Sequence, residues 1–148
     1  HRRENHHQVD KYFNVINKLA ENNPKLNFIL PIHPNPNVYK HKHILKYVNV
    51  IDPIPYDKMI ELLANCKMII SDSGGIQEEA SFFNKKVIVC REHTERPESV
   101  GIHSFLCKSS DDLENMFYDI INDYKINEEC PYGDGTSSEK IVKILGEI

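Results

Sequence analysis

Apolar residues recur along the chain in two rhythms. Over residues 8–21, Val9, Tyr12, Phe13, Ile16, Leu19 and Ala20 fall at three- and four-residue steps, which predicts a helix with one apolar stripe. Asn22-Asn23-Pro24 ends it. The same rhythm predicts helices over 56–65, 76–83 and 111–124, and a last one from Ser137 onward. Thr136 with Glu139 three residues later has the form of a capping box for that last helix. The second rhythm is a set of short apolar runs at 26–32, 47–51, 67–71, 86–90 and 104–107. These runs are continuous, not alternating. Strands of that kind are covered on both faces, so the pattern predicts an α/β fold with a parallel sheet and helices on both faces. The proline-rich segment 33–37 reads as a loop, and Pro53-Ile54-Pro55 as a rigid connector.

Composition narrows this picture without redirecting it. With 148 residues and no internal repeat, the chain reads as a single domain spanning 1–148. Its 18 basic and 22 acidic residues give a net charge of −4, with no basic block, which argues against nucleic acid and anionic membrane as partners. Runs such as 28–32 and 68–70 are far too short to cross a bilayer. The four cysteines form no CxxC pair, so reduced, mostly buried thiols are expected in place of a disulfide framework or a zinc site. His41 and His43, like His6 and His7, lack the spacing of a ligand set, and no metal is expected. No signal peptide is visible, and a cytoplasmic protein is expected. The chain begins at His1, inside a polar run, and reads as a piece of a longer protein.

In an open parallel α/β sheet, ligands collect at the carboxyl ends of the strands. Three polar clusters follow predicted strands here: one from His33, one from Asp72 through Gly75, and one from Arg91 through Arg96. The middle one is the most telling. A strand runs into Ser73-Gly74-Gly75 and a helix starts at once. Glycines let a ligand approach the backbone, and the first amides of a helix have no internal partner and carry partial positive charge. That is a seat for a diphosphate. The same residues would also serve as a plain N-cap followed by a glycine turn. Glu79, four residues beyond Gly75, lies on the same helical face and suits a ribose diol; Glu78 or Glu79 could equally just complement the helix dipole. His33, boxed between a strand end and a proline, could donate to phosphate or act as an acid–base group, or simply sit on the surface. Arg91 and Arg96 could neutralise phosphate or pair with Glu92 and Glu95.

Five tracts make the sequence recognisable: His1-Arg2-Arg3-Glu4-Asn5, the stretch 31–38, Ser71-Asp72-Ser73-Gly74-Gly75-Ile76-Gln77-Glu78-Glu79-Ala80, the stretch 91–98 with its Thr94-Glu95-Arg96-Pro97-Glu98, and Pro131-Tyr132-Gly133-Asp134-Gly135. In order and spacing they resemble the non-hydrolysing UDP-N-acetylglucosamine 2-epimerases. The resemblance implies a Rossmann-like domain, one half of a GT-B-type two-domain fold, with the N-terminal half absent from this sequence. It implies interconversion of UDP-GlcNAc and UDP-ManNAc by elimination and re-addition of UDP, with no cofactor. Position by position, Ser73, Gly74 and Gly75 would hold the diphosphate and Glu79 the ribose. His1 stands where the family has its catalytic histidine, and Arg2 and His33 would lie near the nucleotide or a neighbouring regulatory site. The carboxylates credited with proton transfer belong to the other half. The expected partners are UDP-GlcNAc or UDP, the missing N-terminal domain, and a second copy in a homodimer; the isolated piece is expected to be inactive. Pro34, Glu92-His93 and Cys130 depart from the family's usual residues. The alternative is a UDP-sugar-binding domain of a GT-B-type glycosyltransferase.

Overall fold

The computed structural model describes residues 1–148. Helix α1 (Val9–Asn22) is followed by strand β1 (Ile29–Pro31), a one-turn helix α2 (Pro36–Tyr39) and β2 (Asn49–Ile51). Then come α3 (Tyr56–Asn65), β3 (Met68–Ser71), α4 (Gly74–Phe82) and β4 (Lys86–Val89). Strand β5 (Ser104–Leu106), α5 (Leu113–Asn122) and α6 (Ser137–Gly146) complete the chain. Every strand pairing is parallel, as the continuous apolar runs predict. The hydrogen-bonded ladder comes in two pieces, however: β1 with β2, and β3–β4–β5 in that order.

Strand β4 shows why its sequence is apolar throughout. Ile88 and Cys90 face one way, into a cluster with Tyr12 and Leu19 of α1 and Leu113, Phe117 and Ile120 of α5. Val87 and Val89 face the other way, against Ala80 of α4. Successive side chains of a strand point to opposite faces, so helices on both sides demand apolar residues at every position. Ile88 and Leu113 are fully buried, and each such side chain contributes about 1.5–3 kcal/mol relative to exposure.

Helix α1 spans both pieces of the sheet. Tyr12 and Leu19 belong to the cluster over β4, whereas Val9, Phe13 and Ala20 pack with Ile32, Val38, Leu45 and Val48 beside β1 and β2. Ile16 and Phe28 touch both clusters, so the core is continuous where the ladder is not.

Three expectations are corrected. The segment 33–37 is not wholly loop: Asn35 caps α2 by accepting from Asn37 N at 2.9 Å, with Pro36 in the first helical position. The capping box at Thr136 does not form. The Thr136 hydroxyl donates to Asp134 Oδ1, a local turn bond that competes with the cap. Third, α4 begins at Gly74 and not at Ile76, so the two glycines are the first turn of the helix and not a bend before it. Asn84, at φ +52°, closes α4 in the left-handed conformation that Asn tolerates, and Lys85 N returns to Ala80 O at 2.9 Å before β4 begins.

Helix α6 has an apolar stripe, but none of its residues is buried. Ile141, Val142, Ile144 and Leu145 are 56–68% exposed. No helix is long and apolar enough to cross a membrane.

Candidate functional site

The parallel strands bring the three polar clusters to one edge, and the first five residues of the chain lie across it. Asp72, directly after β3, is the hub. Its carboxylate accepts from the main-chain nitrogen of His1 at 2.8 and 3.0 Å, from Arg2 N at 2.8 Å and from Asn5 Nδ2 at 3.2 Å. Asn5 is buried and also donates to Cys90 O at 2.8 Å, which ties the segment to the end of β4. Burial pushes the Asp72 carboxyl up, but the terminal ammonium of this chain at His1, by its charge and its hydrogen bonds, together with the Arg2 and Asn5 donors, outweighs it and holds it below its ordinary value.

Arg91, just after β4, fastens the same segment from the other side. It is buried, donates through Nε to Glu4 Oε1 at 2.7 Å, and forms a two-pronged pair with Glu95 at 2.6 and 3.2 Å. The Arg91 hydrogen bonds hold Glu95 down at about 2. Of the two roles open to Arg91, the structure shows ion pairing, with Glu4 and Glu95 and not with Glu92. Arg96 pairs with Glu78 at 2.6 Å and stands 3.6 Å from Glu95.

The histidines meet. The rings of His1 and His33 stack at 3.8 Å with an interplanar angle of 13°. Nδ1 of His33 accepts from Asn35 N at 3.1 Å, which leaves Nε2 as the N–H of the neutral ring. His6 Nε2 lies 2.9 Å from His1 O. His1, Arg2, Arg3, Glu4, Asp72 and Ser73 line an open cavity of about 470 Å³ with no apolar side chain in its wall. Glu4 and Asp72 are taken up by the bonds above, whereas Arg2 and Arg3 form no ion pair, so this wall is set to receive an anion.

Ser73 is the N-cap of α4, and its Oγ accepts from Ile76 N at 3.4 Å. This uses an oxygen lone pair and leaves the hydroxyl proton for a further acceptor. The amides of Gly74 and Gly75 find no acceptor within the chain. Gly75 is exposed; Gly74 is buried beneath the Arg96 side chain. Glu79, a turn further on, is half-buried, and its interaction pushes the hydroxyl of Tyr56, at the start of α3, upward. The structure thus gathers His1, Arg2, His33 and Ser73 at one spot, with Gly75 and Glu79 continuing along α4. Sequence reasoning missed Asp72 as the hub and Asn5 as its support. Their signal, a carboxylate just after a strand and an amide far upstream, has meaning only once the fold joins them.

All four cysteines are free; Cys90 and Cys107 are buried, Cys66 and Cys130 half-buried. No group of three or more His, Cys, Asp or Glu side chains is placed to hold a metal ion.

A family model described as UDP-N-acetylglucosamine 2-epimerase matches residues 1–146. The UDP-N-acetylglucosamine 2-epimerase of Campylobacter jejuni is 36% identical over 98% of this chain, which spans 41% of that relative. The crystal structure of the UDP-GlcNAc 2-epimerase from Neisseria meningitidis, bound to UDP-GlcNAc, superposes with a TM-score of 0.88 at 34% identity, over all of this chain and 43% of that one. A co-structure of S. aureus MnaA with UDP gives a TM-score of 0.88 at 32% identity, again over all of this chain and 44% of the other. The chain therefore spans less than half the length of the relatives it matches, and its fold is the Rossmann-like α/β unit of GT-B-type two-domain proteins.

Proposed function

This chain belongs to the UDP-N-acetylglucosamine 2-epimerase family, and from that premise we propose that it is the nucleotide-holding, C-terminal half of an enzyme interconverting UDP-GlcNAc and UDP-ManNAc. The observation that carries the reading is the amino end of α4: two unpaired glycine amides beside a cationic wall, at the carboxyl edge of a parallel sheet. In this reading Ser73, Gly74 and Gly75 hold the diphosphate, Glu79 accepts from the ribose hydroxyls, and His1, Arg2 and His33 surround the phosphate and sugar. The solved relatives from N. meningitidis and S. aureus carry UDP-GlcNAc and UDP respectively, which supports a uridine nucleotide here.

The chemistry divides between the halves. A base from the other half removes the C2 proton, and the C1–O bond breaks with its electron pair leaving on the β-phosphate. The sugar becomes a glycal with a C1–C2 double bond. UDP then returns to C1 while a proton is delivered to the opposite face of C2. Negative charge grows on the departing β-phosphate, and fixed amide dipoles aimed at it stabilise the leaving group as that charge develops. One wall without the acid–base groups does not complete this cycle, so the isolated piece is expected to be inactive. The whole protein is, in the same reading, a cytoplasmic homodimer.

The test is to incubate the full-length protein with UDP-GlcNAc in deuterated water and follow the products by proton NMR. UDP-ManNAc appearing with deuterium at C2 is the expected result. Transfer of the sugar to an acceptor with no C2 exchange would instead establish the glycosyltransferase alternative.

A further inference from the structure

The segment from His1 to Asn5 crosses the carboxyl ends of three strands. The His1 ring stacks on His33, after β1; Arg2 N donates to Asp72, after β3; Asn5 Nδ2 donates to Cys90 O, after β4. A single 3-10 turn at Arg3–Asn5, closed by Asn5 N on Arg2 O at 2.9 Å, folds the segment back on itself. Arg2 N and Asn5 Nδ2 thereby converge on one oxygen, Asp72 Oδ2, at 2.8 and 3.2 Å. None of these contacts uses the terminal ammonium.

Asn5 is only 6% exposed, and its carboxamide is fully spent. Gln8 Nε2 donates to its Oδ1 at 3.1 Å, which turns Nδ2 toward the sheet. The two hydrogens on Nδ2 then go to Asp72 Oδ2 and, at 2.8 Å, to Cys90 O. Asp72 leads directly into Ser73, the cap of α4, and Ser73 N donates to Ser71 Oγ at 3.1 Å. Asn5 therefore grips the very turn that opens the proposed diphosphate seat. On the other flank, Glu4 is held by Nε of the buried Arg91 at 2.7 Å. The side chains of His1 and Arg2 take no part in the Asp72 clasp and line the open cavity beside Ser73.

We propose that Asn5 is a positioning residue: it fixes the side chains of His1 and Arg2 in register with the amides of Gly74 and Gly75. This rests on the epimerase reading of the same site. Asn5 touches neither sugar nor phosphate, and acts through the two residues that its segment carries. Arg2 and Asp72 are 70 residues apart in sequence, and no helix or strand joins them, so their spacing has to be set by side chains. Groups aimed at a charge that grows only in the transition state are sensitive to this spacing: a misplacement of about 1 Å costs on the order of 100-fold in rate. Ground-state binding at α4 depends on it less. A neutral amide suits the task. It donates twice without adding a cation beside the phosphates, whereas a carboxylate in its place would repel Asp72. An amide needed only to satisfy Cys90 O would not have to reach Asp72 as well.

The full-length protein is tested by turnover of UDP-GlcNAc in deuterated water, with calorimetric titration of UDP alongside. Asn5→Ala is expected to lower kcat roughly 10- to 100-fold, while KM and the Kd for UDP move less than about threefold. The number of UDP molecules bound per subunit is expected to match the wild type, whereas a loss of folded protein would lower it. A double-mutant cycle with His1→Ala supplies a second readout. Because Asn5 works through His1 and Arg2, its loss is expected to cost at least about threefold less C2 exchange in the His1→Ala protein than in the wild type. Asn5→Ser keeps one donor and is expected to fall between wild type and Asn5→Ala; it is read by the same criteria if Asn5→Ala fails to fold by circular dichroism. Equal losses with and without the His1 side chain, an unchanged kcat in Asn5→Ala, or a kcat loss matched by lost UDP sites would overturn the proposal and leave the epimerase reading standing. A wild-type protein that makes no UDP-ManNAc and exchanges no C2 proton would overturn the epimerase reading, and the proposal with it.

Discussion

At the scale of single residues, the two glycines that open α4 look alike in sequence and differ in surroundings. A methyl group on Gly75 would meet only Ser73 Oγ, at 3.9 Å, whereas one on Gly74 would strike the Arg96 guanidinium. Gly74→Ala is therefore expected to push the Arg96 guanidinium aside and loosen its pair with Glu78, and, by disturbing the amino end of α4, to weaken UDP binding by the full-length protein. Gly75→Ala is expected to leave that pair intact and, since alanine is the better helix former, to hold or raise thermal stability by up to about 1 kcal/mol. Thermal melts with parallel UDP titrations of the two variants check both halves of the statement. Ser73 likewise serves in two ways, its lone pair spent on the cap and its proton left over. The cap and the proposed diphosphate seat are therefore compatible at this position.

At the scale of elements, the segment from His1 to Asn5 is a strap buckled at Asp72 and Arg91. Both buckles are carboxylate-based, Asp72 on one side and Glu4 on Arg91 on the other, and the Asp72 carboxyl is held below its ordinary value. A group whose pKa is lowered by folding contributes stability above its unfolded value, near pH 4, and loses that contribution as the pH falls through the folded value. The contribution of Asp72 to the strap is thus expected to be complete above about pH 4 and to be lost as the pH falls below it. Amide exchange of residues 2–5, followed by NMR on either side of pH 4, would show it. Asp72→Asn should release the strap even at pH 7 and cost about 1–3 kcal/mol, because Asn5 and the main-chain donors lose a charged acceptor. The elements themselves were largely readable from the sequence: α3 falls where its periodicity puts it, and β4 is apolar at every position because α1 and α5 cover one face and α4 the other. The strap was not readable. Asp72 and Asn5 are 67 residues apart, and no local periodicity reports a hydrogen bond across that distance. The capping box at Thr136 misled because Asp134, two residues earlier, competes for the same hydroxyl.

At the scale of the whole molecule, the candidate site is one wall and not a pocket. The cavity beside His1 is open and has no apolar side chain in its wall, while pockets that enclose a small molecule are lined mostly by apolar side chains. The relatives are more than twice as long as this chain, so a second wall has room to exist. The sequence carried the family, because that rests on contiguous tracts; the way residues 1–5 lie across the edge of the sheet depends on contacts between distant tracts and was beyond it. Helix α6 bears on the same point. A ten-residue coil with leucine and isoleucine facing water gains nothing by staying wound, since so short a helix is marginal without packing. Made alone, this chain should exchange the amides of 137–146 within the dead time of a hydrogen–deuterium experiment, while those of β4 stay protected for hours. If the rest of the proposed full-length enzyme covers the apolar stripe of α6, the same ten amides slow there, so their exchange rate becomes a gauge of whether that stripe is packed.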